Sequence, residues 1–228
     1  MHWILGVNLF GEEHSSTADS YYSLGITQHK LGDLSSALQS TQRALDFRRK
    51  LFGEEHSSTA DSFYSLGITQ HKLGDLSSGL QSTQRALDIR RKLFGEEHSS
   101  TGESYHLLGI KQHKVGDLSS ALQSKQRALD IRRKLFGEEH SSTADSYSSL
   151  GITQQKLSDL SSALLSTQRA LDIRRKLFGE EHSTTADSYC SLGITQHQLG
   201  DLSSALQSTQ RALDIRRKPV WRRTLKHS

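Results

Sequence analysis

The sequence has few residues that interrupt or cross-link a chain. It contains one proline and one cysteine, Cys190, in 228 residues. A single cysteine cannot form a disulfide within the chain, which argues against a disulfide-stabilised secreted scaffold and favours a cytoplasmic protein. Because proline breaks helix interiors, its scarcity favours a helix-rich chain.

Long apolar runs are also missing. Hydrophobic residues make up 33% of the chain and charged residues 24%. No stretch approaches the roughly 20 apolar residues that span a bilayer. The apolar run within residues 1–5 is too short for a secretory signal peptide and has no basic lead-in. We therefore expect a water-soluble protein without a membrane partner.

The positive charge is confined to a few places. The chain carries a net charge of +4, but segments 9–50, 51–92 and 135–176 each sum to zero. The excess comes from Lys111 and Lys125 and from the C-terminal residues Arg222, Arg223 and Lys226, and is offset by one lysine that is missing at Gln198. A uniformly basic surface of the kind that binds nucleic acids is therefore not predicted.

A 42-residue repeat organises the chain. The string LFGEEHSSTADS begins at Leu9, and close copies begin at residues 51, 93, 135 and 177 without insertion or deletion. Such a period predicts supersecondary units that bury their apolar faces against their neighbours. We divide the chain into a lead (1–8), five repeats (9–50, 51–92, 93–134, 135–176 and 177–218) and a basic tail (219–228).

Each repeat predicts two helices. In the first helix of the first repeat, the side chains at helical spacing are Tyr21, Leu24, Gln28 and Leu31, with Ser15, Ser16 and Thr17 as candidate N-caps. Gly32 ends this helix and Asp33 caps the next. One face of the second helix carries Leu34, Ala37, Leu38, Thr41, Ala44 and Leu45. Its end carries Arg48, Arg49 and Lys50, which suit the helix dipole, before Gly53.

A glycine recurs inside the first helix of every repeat. Its positions are Gly25, Gly67, Gly109, Gly151 and Gly193. Glycine in a helix interior costs roughly 0.5–1 kcal/mol relative to alanine, so its repetition indicates a structural need. We expect the two helices of each repeat to approach closely at this glycine, opposite Ala37 and Ala44.

These residues resemble the tetratricopeptide repeat. The resemblance rests on the aromatic Tyr21, the pair Leu24-Gly25, the turn Gly32-Asp33 and the small residues Ala37 and Ala44, and it covers residues 9–218. The 42-residue length, with the segments 43–46 and 53–56, is similar to the variant found in kinesin light chains and nephrocystin-type proteins. The resemblance implies an all-α fold, an α-α superhelix of five helix-turn-helix repeats. It also implies a scaffold that binds a peptide or helix along its concave groove.

The first helices supply a candidate partner-binding strip. By the register of the family, the concave face presents Asp19, Tyr22, Ile26 and His29, one turn apart. The equivalent positions in the next two repeats are Asp61, Tyr64, Ile68, His71, Glu103, His106, Ile110 and His113. We call these twelve residues the strip.

One position of the strip varies along the array. Tyr22 becomes Tyr64, His106, Ser148 and Cys190, which predicts an aromatic anchor in the first two repeats. The alternative is drift at an unconstrained exposed site. The polar amide that kinesin light chains carry one position later is absent, since Ser23 stands there, so the cargo motif of that family is not predicted.

No enzyme, metal or cofactor signature is present in the sequence. The histidines that follow each glutamate pair are His14, His56, His98, His140 and His182. They fall one per repeat, whereas a metal needs several ligands converging on one ion, so loop capping or packing is the preferred interpretation. Cys190 stands alone without a predicted base, and we expect a non-enzymatic protein.

Two other functions stay open. The basic clusters that begin with Arg48-Arg49-Lys50 offer an RNA-binding edge, but two glutamates follow each cluster, so nucleic acid is the minor alternative. The last helix would leave Leu202, Leu206 and Leu213 partly exposed unless Val220 and Trp221 cover them. Self-association through such ends, in an architectural solenoid without a groove ligand, is the second alternative.

Overall fold

The structure, a computed structural model, describes residues 14–217. The regular secondary structure of this range is entirely helical. The helices are α1 (Ser15–Leu31), α2 (Leu34–Phe52), α3 (Ser57–Lys72), α4 (Leu76–Phe94), α5 (Ser99–Val115), α6 (Leu118–Phe136), α7 (Ser141–Lys156), α8 (Leu160–Phe178), α9 (Ser183–Gln198) and α10 (Leu202–Arg217). The predicted lead (1–8), residues 9–13 and 218 of the predicted repeats, and the predicted tail (219–228), which contains Val220 and Trp221, lie outside the described range.

The chain divides into two compact units, Met1–Asp117 and Leu118–Ser228. In the first unit, α1 pairs with α2 and α3 with α4, and α2 and α4 pack on the first helix that follows them. The core here is built by Leu45, Ala60, Phe63, Leu66, Ala86 and Ile89. In the second unit, α7 pairs with α8 and α9 with α10, while α6 packs on α7 and α8 on α9. The predicted all-α helix-turn-helix fold is confirmed.

A histidine caps the first helix of each repeat. His14 is extended, with φ −97° and ψ 143°, and its Nδ1 accepts the Ser16 backbone N–H at 3.2 Å. The equivalent caps are His56, His98, His140 and His182. The prediction that Ser15, Ser16 or Thr17 supplies the cap is wrong by one to three residues, because an imidazole nitrogen takes the role usually played by a side-chain oxygen.

Four of the capping histidines also link the last residue of one hairpin to the start of the next. The ring of His56 stacks on Phe52, the last residue of α2, with centroids 4.6 Å apart. The same stack recurs at 4.6–4.8 Å for the histidine caps of α5, α7 and α9. Capping and packing, the preferred interpretation of these histidines, describe what the rings do.

The turns follow the predicted chemistry. Asp33 Oδ1 accepts the Ser36 backbone N–H at 3.1 Å, so the predicted cap of α2 is confirmed. Gly32 and Gly53 both have φ of +85°, a conformation that costs other residues about 1–2 kcal/mol. In the fourth repeat Ser158 takes the place of Gly32 and keeps the left-handed conformation, with φ 60°.

The recurring glycine marks a close helix approach, as predicted. A Cβ on Gly25 would lie 2.5 Å from Thr41 Oγ1 and 3.3 Å from the Ala37 carbonyl oxygen. A Cβ on Gly67 would lie 2.5 Å from Thr83 Oγ1. Alanine in the place of these glycines would therefore push the two helices of the hairpin apart.

The predicted apolar face of α2 is buried. Ala37 and Ala44 are fully enclosed, and Thr41 and Leu45 nearly so. Leu31, the last of the helically spaced residues of α1, is nevertheless 80% exposed. The reason is its place at the last position of α1, beside the turn at Gly32, where the packed face of the hairpin has ended.

Candidate functional site

The strip lies along the first helices of the first unit. Its members on α1, α3 and α5 are half-buried, apart from Asp19 and Glu103, which are exposed. Burial causes the pKa of Tyr22 to rise and nearby Asp61 raises it further, while Arg48 and Arg90 act in the opposite direction. Tyr22 on α1 is therefore close enough to Asp61 on α3 for the carboxylate to affect its pKa, so these two members of the strip are neighbours.

An arginine lies against each tyrosine of the strip. The Arg48 guanidinium carbon lies 4.2 Å from the centre of the Tyr22 ring, and that of Arg90 lies 4.6 Å from the Tyr64 ring. Both arginines come from the second helix of the same hairpin as their tyrosine and are almost fully buried. Cation–π contacts of this kind contribute about 0.5–2 kcal/mol each and fix the orientation of both planes.

The same arginines bind three helices together. Arg48 Nη2 donates to Asp19 Oδ1 at 2.9 Å, and Nη1 donates to the Ser58 carbonyl at 2.9 Å and to Ser62 Oγ at 2.8 Å. Arg48 therefore connects α2 to α1 in its own hairpin and to α3 in the next. We call this contact of an arginine with the following first helix an arginine junction.

The arginine junction recurs along the chain. Arg90 binds Asp61 at 2.7 Å, the Ser100 carbonyl at 3.1 Å and Ser104 Oγ at 2.9 Å. In the second unit, Arg132 donates to Ser146 Oγ and Arg174 to Ser188 Oγ, both at 2.8 Å. The tyrosine does not recur with these two arginines, since the positions equivalent to Tyr22 in their hairpins carry His106 and Ser148.

Two acidic residues of the strip are thus already paired within the chain. Asp19 and Asp61 hold Arg48 and Arg90, although their carboxylates are 66% and 48% exposed. The predicted basic clusters are neutralised in a similar way. In the first two clusters the first arginine, Arg48 or Arg90, is buried in an arginine junction, Arg49 Nε lies 2.7 Å from Glu54, and Lys92 Nζ lies 2.6 Å from Glu55.

Burial favours the neutral form of two histidines of the strip, His29 and His71. Burial lowers the pKa of His29, with a further effect from Lys72, and burial lowers that of His71, with further effects from Lys111 and Lys114. In both rings Nε2 is buried, without a hydrogen-bond partner in the part of the chain that the structure describes. On α1 and α3 the strip therefore ends in an imidazole whose charged form is disfavoured by burial.

Two lysines are buried, which was not predicted from the sequence because only their charge was considered. Lys111 is 1% exposed and donates to the Gly67 carbonyl at 2.6 Å. Lys125 is 3% exposed and donates to the Ser149 carbonyl at 3.0 Å and to Thr153 Oγ1 at 2.6 Å. Burial lowers the pKa of each to about 8.

The repeat register held the signal for this burial. Lys111 stands where the second repeat has Thr69, and Lys125 where it has Thr83, and both threonines are buried. A residue at a packed register position is expected to be buried even when it is charged, and its ammonium group then needs acceptors nearby.

Other chemistry is sparse in the described residues. Within 14–217, no group of three or more His, Cys, Asp or Glu side chains is arranged to hold a metal ion. Cys190 is half-buried on α9. None of the helices from Ser15 to Arg217 is both long and apolar enough to cross a membrane.

Solved structures share this fold. BtubC (BKLC) from P. vanneervenii superposes with a TM-score of 0.79 at 21% identity, over 89% of this chain and 80% of that one. A Podosopora anserina protein classed with the kinesin light chains, with nearly identical TPR-like repeats, gives 0.79 at 20% identity, over 89% and 96%. MamA from Desulfovibrio magneticus RS-1 gives 0.67 at 16% identity, over 88% and 95%.

The sequence comparisons agree with the structural ones. No curated protein sequence matches the chain. One tetratricopeptide repeat family model matches residues 79–134, 120–176 and 166–218, which together exceed half of the chain, and a second matches residues 17–58. The predicted 42-residue helical repeats are consistent with these matches. The chain belongs to the tetratricopeptide repeat family.

Proposed function

We propose that this protein is a non-enzymatic, cytoplasmic scaffold or adaptor that binds a protein segment, an extended peptide or a helix, along the strip. Tetratricopeptide arrays serve protein interaction in general, and the strip is the face that the family register assigns to the partner. The twelve strip residues are the proposed contact surface. The predicted division into five repeats supplies the successive first helices on which they stand.

The observation that carries the proposal is the pair of tyrosine–arginine stacks. Tyr22 and Tyr64 are half-exposed, yet each ring is held by an arginine that is fixed by a carboxylate and by the next helix. An aromatic ring that is already ordered loses little side-chain entropy when a partner packs on it. Tyrosine and arginine are also the residue types that dominate interface energies.

The test is a binding measurement with matched variants. Peptides selected from a random library on the intact chain would be titrated against the chain and against the double variant Tyr22→Ser, Tyr64→Ser. Serine is the residue that the fourth repeat carries at this position, Ser148, so the substitution suits the fold. The control is Leu165→Gln, which restores at an exposed site the residue found in the other repeats.

We expect the double variant to lose about tenfold or more in affinity, because an interface hot spot is worth above 1 kcal/mol. The control should bind as the unaltered chain does. Equal affinities for all three proteins would refute the strip. A library without any binder would favour the architectural alternative.

That alternative, a self-assembling or purely architectural array, has its own observation. Leu202, Leu206 and Leu213 on α10 are 43–68% exposed, as the sequence predicted for an uncovered last helix. RNA binding has less support, because the arginines of the proposed edge are engaged in junctions and ion pairs.

A further inference from the structure

We propose that two copies of this chain associate head to tail, with α1 of one copy packed on α10 of the next. Two surfaces define the contact. The front face consists of Ser20, Leu24 and Thr27 on α1, and the rear face of Leu206, Thr209 and Leu213 on α10. The contact does not involve the strip, so it stands or falls independently of the groove-binding function.

The rear face is the surface on which every other second helix seats its successor. Its leucine equivalents Leu45, Leu87, Leu129 and Leu171 are 1–2% exposed, whereas Leu213 is 43% exposed. Thr209 is exposed, whereas Thr41 and Thr83 at the same position are buried. The residues of α10 that are more exposed than their equivalents are therefore those that contact a following helix in the other repeats.

The front face shows the complementary loss. Leu24 is half-buried, while its equivalents Leu66, Leu108, Leu150 and Leu192 are 3–4% exposed. Ser20 is half-buried and Thr27 exposed, whereas Ser62 and Thr69 at the same positions are enclosed. These are the positions through which a first helix contacts the second helix before it.

The two faces match each other because the repeats match. Residues 15–31 equal residues 57–73 except that Tyr21 replaces Phe63, and residues 202–217 equal residues 34–49 except that Ile215 replaces Phe47. Both exceptions occur at internal junctions, as Tyr105 on α5 and Ile89 on α4. A copy of α1 on α10 would thus reproduce the α2–α3 interface with residues that this fold already packs together.

The arginine junction would be reproduced as well. Arg216 binds Asp187 at 2.8 Å, as Arg48 binds Asp19, and its side chain is 52% exposed against 6% for Arg48. In the head-to-tail contact, the Ser16 carbonyl and Ser20 Oγ of the second copy take the places that Ser58 and Ser62 have opposite Arg48. The rear face is thus shaped for a first helix, and a second copy presents one of the same sequence.

The contact is heterologous, so it leaves a front and a rear face open after each addition. Oligomers of increasing size are expected as the concentration rises. The experiment is light scattering coupled to size-exclusion chromatography on the intact chain, on Leu24→Arg and on Leu213→Arg. Leu165→Arg is the control, since Leu165 is exposed but belongs to neither face. Circular dichroism would establish that each variant keeps its helices.

The unaltered chain and the control should show a mass that rises with concentration. Each face variant alone should stay at the monomer mass at every concentration. An equimolar mixture of the two variants should give a dimer and nothing larger, because Leu24→Arg keeps its rear face and Leu213→Arg its front face. Recovery of twice the monomer mass in the mixture alone is the result specific to head-to-tail pairing.

Three outcomes would overturn the proposal. The first is an unaltered chain that stays monomeric at all concentrations. The rear face would then be covered by residues outside the described range or left open to solvent. The second is association that persists in either face variant. The third is a mixture of the two variants that stays monomeric.

Discussion

Two lysine side chains, Lys111 and Lys125, are enclosed with carbonyl and hydroxyl acceptors. None of the hydrogen bonds described for their ammonium groups goes to a carboxylate. A charged group in such a place destabilises the fold, because carbonyls replace only part of its lost hydration. The threonines found at these positions in other repeats avoid that cost.

This cost depends on pH with a definite sign. Burial lowers the pKa of each lysine from 10.5 to about 8, which corresponds to at most about 3 kcal/mol of unfolding free energy per lysine. Below pH 8 both the folded and the unfolded chain hold the proton, so the full cost is present. Between pH 8 and 10.5 the unfolded chain binds more protons, so stability rises with pH.

We therefore expect the variant Lys111→Thr, Lys125→Thr to be more stable than the unaltered chain near neutral pH. The difference should shrink as the pH rises from about 7.5 to about 9.5. Urea unfolding at several pH values measures it. The control is Lys156→Thr, a change at an exposed lysine on α7, which should not give this gain in stability near neutral pH. A constant difference for the double variant would show that the lysines do not carry the cost.

The residues show what the sequence could and could not predict. Gly25 was assigned correctly because a helix-breaking residue repeated five times has few explanations other than close contact. Arg48 was misjudged as a dipole partner at a helix end, since nothing in one sequence tells a buried arginine from an exposed one. Its acceptors Ser58 and Ser62 lie one repeat further along, and only the packing of α2 on α3 brings them together.

At the level of helices, the arginine junctions are the main polar ties between consecutive repeats. Arg90 joins α4 to α3 and α5 and is 7% exposed at its side chain, while Arg216 makes the equivalent bond to Asp187 at 52% exposure. The two positions thus offer the same chemistry in a buried and in a solvated setting.

We expect Arg90→Ala to lower the free energy of unfolding by about 3 kcal/mol, because it leaves Asp61 and Ser104 without their buried donor. Arg216→Ala should lower it by less than about 1 kcal/mol, as for a solvated ion pair. Denaturant titration of both variants under conditions that keep the chain monomeric is the measurement. Equal losses would contradict the assignment of Arg90 as a tie between helices.

The residues at which helices end could be predicted better than the packing of their side chains against neighbouring helices. Gly32 and Gly53 end helices and Asp33 caps one through local backbone chemistry, and these assignments are confirmed. Capping by His14 was predicted only in general terms, and the N-cap itself was assigned to Ser15, Ser16 or Thr17, because histidine is an uncommon N-cap. The exposure of Leu31 could not be predicted, because helical spacing does not show where the neighbouring helix ends. The strip itself stays a prediction, since its register follows from the sequence but its ligand does not.

At the scale of the whole chain, the end helices differ from the inner ones in burial. Inner helices such as α4 and α8 contact helices on two sides, whereas the outer positions of α1 and α10 are partly exposed. Stability in a repeat array is close to a sum of repeat and neighbour terms, so helices with fewer neighbours open more easily.

Amide hydrogen exchange tests this difference in stability between the outer helices, α1 and α10, and inner helices such as α4 and α8. In dilute solution, we expect α1 and α10 to exchange faster than α4 and α8. At concentrations at which the chain associates, α1 and α10 should both slow while α4 and α8 stay unchanged. If the amides of α10 were as well protected from exchange as those of α8 in dilute monomer, the expected difference in stability would be contradicted.

The uniformity of the arginine junctions also bears on how the gene can change. Each of the four junctions described joins an arginine at the same repeat position to a backbone carbonyl and a serine hydroxyl at the same two positions of the following helix, and no insertion or deletion interrupts the period of 42 residues. Removal of residues 51–92 would place Arg48 opposite Ser100 and Ser104, the acceptors that Arg90 has now. Unequal recombination between the repeats can therefore lengthen or shorten the protein by whole hairpins without creating an unfamiliar interface.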